Sequence, residues 1–163
     1  MNFSSRRLIS LAAAALVLVP AAGCTSTDEA AGPAVPTPPA KAVAMCRALH
    51  RELPRQLDGL DRRETDPASD FTAAWGDPAV ELRCGVPQPD VLTPGSEAYN
   101  ALPDSAELNG VGWVIEKQDG GYRFTTTLRR AYVEVVVPDD YAPEVNVLID
   151  LAGAVRKTVP AGI

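Results

Sequence analysis

Four stretches in the second half of the chain alternate apolar and polar residues, and that period of two constrains the fold more than any other feature. In "AVELRCGV" at 79–86, Val80, Leu82 and Cys84 fall on one side and Glu81 and Arg83 on the other. "VGWVIEK" at 111–117 groups Val111, Trp113 and Ile115. "YRFTTTL" at 122–128 sets Tyr122 and Phe124 against Arg123 and Thr125, and "YVEVVVP" at 132–138 sets Val133, Val135 and Val137 against Tyr132 and Glu134. Successive strand side chains point to opposite faces, so these segments read as half-buried strands of an antiparallel sheet. "QDGG" at 118–121 is a hairpin connection between two of them.

Helical periodicity flanks the strands. Thr37 is placed to cap a helix whose first turn holds Pro38 and Pro39, where amide hydrogens have no partner to lose. Cys46, Leu49, Leu53, Leu57 and Leu60 then recur at three- and four-residue steps. Pro54 kinks or ends that helix, and Asp58-Gly59 is a turn signal. Pro143 opens a last helix with Val145, Leu148, Ala152 and Val155 on one side and Arg156-Lys157 in its final turn. The expected fold is α+β: a two-layer sandwich of a four-stranded antiparallel sheet with two helices on one face. The connection at 87–109 is long, and is either functional or contains a short helix.

The N-terminal segment sets an address. Arg6-Arg7, the apolar run Leu8–Val19 and the small residues from Pro20 to Gly23 make a secretory signal over 1–23, shorter than the roughly 20 apolar residues a membrane span needs. Arg6-Arg7 also touches the twin-arginine pattern, but without its hydrophobic pair and lysine, so ordinary secretion is expected. "AAGC" at 21–24 resembles the bacterial lipoprotein box, which implies a diacylglyceryl group on the Cys24 sulfur and Cys24 as the new N-terminus. At about 0.8 kcal/mol per buried methylene, two or more acyl chains hold a protein at a bilayer where one does not. The alternative is an ordinary cysteine near a cleavage site. Residues 24–37, polar and proline-bearing, read as a flexible tether with a reach of roughly 40 Å, leaving 38–160 as a single domain. The net charge of −6 excludes nucleic acid as a partner and leaves any membrane contact to the acyl anchor.

In an oxidising compartment, with Cys24 taken by lipid, Cys46 and Cys84 remain to form a disulfide on the inward faces of their elements. Two buried free thiols are the alternative; two thiols and one distant histidine cannot fill a zinc shell, and neither metal nor cofactor is expected.

From about Met45 to Val159 the chain resembles a family of actinobacterial exported lipoproteins known only as domain of unknown function 3515. The resemblance rests on Trp-Gly-Asp-Pro at 75–78, Leu-Arg-Cys-Gly-Val at 82–86, and the Phe-Thr-Thr and Tyr-Val-Glu segments. It implies an envelope lipoprotein with two cysteines at these places and carries over no catalytic residue.

Patterns for hydrolytic chemistry are missing: there is no Gly-x-Ser-x-Gly elbow, Ser-x-x-Lys, metal-binding histidine pair or phosphate loop. His50, between Leu49 and Arg51, reads as a solvated surface residue. Glu81 and Glu134 are placed to meet across the sheet as an acid and a base would, but Arg83 and Arg123 share their face, which favours cross-strand ion pairing. Two binding surfaces are candidates. One is the uncovered sheet face with Arg83, Arg123, Thr125, Tyr132 and Glu134; the other is the loop that brings Arg62, Arg63 and Trp75 near the first helix. For each, the plainer reading is structural: a solvated mixed-charge face, and Trp75 as a core lid over the disulfide. The expected function is a membrane-anchored, non-enzymatic binding or accessory module for an envelope protein or cell-wall partner. The alternatives are a small envelope enzyme acting on cell-wall material and a lipid or small-molecule carrier.

Overall fold

The computed structural model describes residues 32–162. The signal segment, Cys24 and the first part of the tether lie outside the described residues. Strands β1 (Gln56–Leu57), β2 (Leu60–Arg63), β3 (Thr72–Trp75), β4 (Val80–Val86), β5 (Ser105–Leu108), β6 (Val111–Gln118), β7 (Gly121–Thr126) and β8 (Tyr132–Pro138) form one antiparallel sheet ordered β1-β2-β3-β4-β8-β7-β6-β5. This corrects the expectation of four strands. The four alternating segments are β4, β6, β7 and β8, the longest strands of the sheet; the additional four span two to four residues each, too few to show a period. In β3, moreover, all four residues are buried, so no alternation exists to be read.

Register sorts the side chains into two faces. Ala73, Leu82, Val135, Phe124 and Ile115 line up on the inner face, and Thr72, Arg83, Glu134, Thr125 and Val114 on the outer. Helices α1 (Ala40–Glu52) and α2 (Asn146–Thr158) lie against the inner face and each other, joined at the surface by a Lys157–Glu52 ion pair of 2.8 Å. Helix α2 touches both edges of the sheet. The Asp58 amide donates to Asp150 Oδ2 at 2.9 Å, and Arg156 donates to the Asn109 carbonyl at 3.1 Å. A sheet of eight strands reaches one helix from both edges only by curling around it, as right-handed strand twist allows.

Boundaries differ from the sequence expectations where proline acts. Helix α1 starts at Ala40 with Pro39 at the cap position and no side-chain cap, so Thr37 does not serve. It ends at Glu52 because Leu53, preceding Pro54, is held extended at ψ 138°. Leu57 and Leu60 therefore belong to the β1–β2 hairpin, turned by Asp58 and Gly59 at φ 47° and 82°, and not to the helix stripe. A 3-10 turn at Asp139–Tyr141 delays the last helix to Asn146.

Cys46 and Cys84 form a disulfide, with Cα atoms 5.4 Å apart and both residues buried. It fastens the middle of α1 to β4. Closing a separation of 38 residues contributes about 4 kcal/mol by chain entropy. Beyond it, Gly85 bulges at φ 87° with Pro38 packed where a Cβ would sit. The segment at 87–104 then leaves β4 and reaches the opposite edge strand β5, passing β8, β7 and β6. It contains a 3-10 turn at Asp90–Leu92 and ties itself together through Gln88, Thr93 and Ser96 side chains on its own carbonyls. Val114 and Thr125 on the outer face are buried.

Candidate functional site

The outer face gathers Arg83, Arg123, Thr125, Tyr132 and Glu134 around the last of these. Adjacent strands β4, β8 and β7 each contribute one charged position, and antiparallel register sets Arg83 directly opposite Glu134. Glu134 Oε1 accepts from Arg83 Nε at 2.8 Å, with Arg83 Nη2 2.6 Å from the same oxygen, while Arg123 Nε lies 3.6 Å from Oε2. The Glu134 side chain is only 9% exposed. Gln118, with its amide oxygen turned toward Arg123, accepts from Nε at 2.9 Å. Both cations on this face are thus engaged, and their charge is answered by a carboxylate. Half-buried Glu81 is pushed above its ordinary range, first by burial and then by the neighbouring Glu134, against the pull of Arg83. Burial likewise raises the Tyr132 hydroxyl. Thr125 Oγ1 is buried with no partner among the described residues.

The second region forms where β2 and β3 part. They pair only at Arg62–Trp75 and Arg63–Ala74; beyond that the hairpin opens into a cleft of about 760 Å³ bordered by Arg62, Glu64, Thr65, Asp70 and Thr72, with His50 of α1 on its inner side. Arg63 borders the same cleft, but its charge, unlike that of Arg62, has a carboxylate partner. Arg63 donates to the Gly76 carbonyl at 2.9 Å and pairs with Asp77 at 3.4 Å. Trp75 is fully buried, and its Nε1 donates to the Pro54 carbonyl at 3.1 Å. It is a core side chain beneath Arg62, unavailable to a partner, which corrects its place among candidate surface residues.

Arg62 lies 5.8 Å from the Trp75 ring, over its face. Its Nη2 lies 3.1 Å from His50 Nε2 and 3.5 Å from Nδ1, against the imidazole ring and not along one lone pair, and its Nη1 donates to the His50 carbonyl at 3.5 Å. Among the described residues it has no carboxylate partner, whereas Arg47, Arg63, Arg83 and Arg123 each have one. Arg129, also partly buried, is held by the Val159 and Gly110 carbonyls at 2.9 and 2.6 Å. Burial lowers Arg62. His50 is lowered by burial first and by the Arg62 charge second, while Asp70 and the Thr72 backbone pull the other way. Burial and the Arg62 charge thus favour the neutral imidazole, which lies against the guanidinium without cancelling its charge.

His50 was expected on the solvated surface and is instead half-buried against Arg62. The signal lay in the helix stripe, because Cys46, Leu49, His50 and Leu53 follow the steps of an apolar face and His50 is the polar member of that set. Among the described residues no cluster of histidine, cysteine or carboxylate side chains is arranged to hold a metal ion.

The family model described as a protein of unknown function (DUF3515) matches residues 8–163, and the chain belongs to that family. No curated protein and no solved structure matches the chain.

Proposed function

We propose that this member of the DUF3515 family is an actinobacterial envelope lipoprotein, anchored through Cys24, that binds a partner in the envelope and performs no chemistry on it. One observation carries the binding reading. Arg62 sits at an open cleft with its charge uncompensated, while the cations of the sheet face are used up by Glu134. A cation kept partly desolvated without a carboxylate costs stability, and fixed, pre-oriented donors are what a recognition site requires. The carrier alternative has less behind it, because the space between helices and sheet is filled by Leu49, Trp75, Trp113, Leu148 and Leu151. The anchor proposed is the lipid on Cys24, for which the Ala-Ala-Gly-Cys box at 21–24 is the support.

A second reading, an envelope enzyme, has one observation in its favour: burial raises Glu81 beside a Glu134 that is bound to arginine, the asymmetry a carboxylic acid and a carboxylate base would need. Complementation of a deletion strain separates the readings. Cys24→Ala should shift the protein out of the membrane fraction and fail to complement, and an unrelated membrane anchor should restore function. Glu81→Gln should complement fully. Loss of function in Glu81→Gln with normal protein level would favour the enzyme.

A further inference from the structure

The cleft's donor set points to a particular ligand chemistry, an inference that rests on the binding reading above. The guanidinium carries five N–H groups in a planar fork. Its contacts with His50 engage the two terminal nitrogens at 3.1 and 3.5 Å, and the remaining N–H groups have no partner among the described residues. Trp75 beneath and the His50 ring beside it fix the plane of the fork, so the side chain is ordered before anything binds. The Thr65 and Thr72 hydroxyls, 3.4 Å apart, also belong to the cleft lining, with Thr72 itself buried.

Charge around the cleft limits what can enter. Glu64 and Asp70 border it, and Asp70 is only loosely paired with Arg47 at 3.6 Å between exposed side chains. With Arg63 also in the lining, the two carboxylates balance the two arginines, and a cleft with no net positive charge favours a monoanion over a dianion such as phosphate. The lining toward the loop is small, with Ala68, Ser69 and Ala73, which leaves room for a chain end but offers no apolar pocket for a large side chain. We propose that the cleft between α1 and the β2–β3 hairpin is a binding site for a single carboxylate, of the kind that ends a short peptide, with Arg62 as the bidentate anchor and His50 as the residue that positions it. An arginine fork matches a carboxylate in geometry as well as charge, which a lysine at this place would not.

The test is an NMR titration of the 15N-labelled full chain with N-acetyl-alanyl-alanine, with its C-terminal carboxamide, and with inorganic phosphate. The proposal expects the free acid to shift the Arg62 Nε–H resonance saturably and to raise the His50 pKa, because an anion beside the ring favours imidazolium. The carboxamide should bind at least about ten-fold more weakly, the loss expected when a charge-assisted hydrogen bond is removed. Arg62→Gln should lose the difference between acid and amide, and Arg62→Lys should recover it only in part. Equal responses to acid and amide in the wild-type chain would overturn the proposal without any variant having to fold, as would tighter binding of phosphate. Discrimination in vitro together with complementation by Arg62→Gln in cells would keep the site and remove its role in the envelope function.

Discussion

Two groups of arginines flank the same sheet and have opposite fates. On the outer face, Arg83 and Arg123 converge on a nearly buried Glu134 and make a cross-strand clamp over three adjacent strands. At the mouth of the β2–β3 hairpin, Arg62 meets an aromatic ring and a neutral imidazole, and no carboxylate. Both groups look alike in a sequence, as basic residues near apolar ones. The difference lies in who answers the charge. A carboxylate directly across a strand pair consumes a guanidinium, whereas a histidine on a neighbouring helix orients it and leaves the charge for something else.

The disulfide joins the two regions, since α1 forms one wall of the cleft and β4 carries Arg83. Replacing both cysteines, Cys46→Ser with Cys84→Ser, should lower unfolding free energy by about 4 kcal/mol in urea titration. It should also weaken the His50–Arg62 contact in NMR spectra, because α1 is no longer fixed over the sheet. Next in size is Glu134→Ala, which leaves two cations facing each other. Breaking a buried pair costs about 3–5 kcal/mol, and with both arginines about one-third exposed, roughly 2 kcal/mol is expected. Arg62→Ala should cost no more than about 1 kcal/mol, the worth of its stacking on Trp75. If Arg62→Ala proved as destabilising as Glu134→Ala, the contrast between a structural clamp and a recognition cation would fail.

The smallest expected effects are in pH dependence, and they have opposite signs. His50 has a folded pKa below its ordinary 6.5, so below that pH the unfolded chain takes up a proton first. Stability should fall as pH drops from 6.5 through the folded value, and His50→Gln should flatten this slope. Glu81 has a folded pKa above its ordinary 4.5, so its contribution is intact below 4.5 and is lost as pH rises through the folded value. Glu81→Gln should remove that decline, and denaturant midpoints measured across pH 3–8 would show both.

How far the sequence reveals this arrangement depends on element length. The strands with seven or eight residues, β4, β6 and β8, and the six-residue β7, announce themselves by alternation. Strand β5 does not, although Asn109-Gly110 behind it, with φ 49° and 79°, is a strong signal for a two-residue hairpin and would have exposed it. Strands β1 and β2 were hidden because Leu57 and Leu60 continue the helix spacing of Cys46, Leu49 and Leu53 past Pro54, and only the proline argues otherwise. The ion pair at Glu134 was legible, since period two places Arg83, Arg123 and Glu134 on one face. The cleft was legible only as a list of residues. Arg62, Arg63 and Trp75 were neighbouring candidates, but Arg63, though it lines the cleft, is paired with Asp77, and Trp75 is buried. His50 joins Arg62 through the packing of α1 on the sheet, a contact between residues 12 apart that no local pattern encodes.

The central claim is that the cleft, and not the charged sheet face, is where this domain meets its partner. The most direct measurement is site-specific photo-cross-linking in cells, with benzoylphenylalanine in place of Ala68 at the cleft rim or of Tyr132 on the outer face. The account predicts a discrete cross-linked product from position 68 that disappears in Arg62→Gln and no such product from position 132. A product from position 132 alone, or one from position 68 that survives Arg62→Gln, would contradict it.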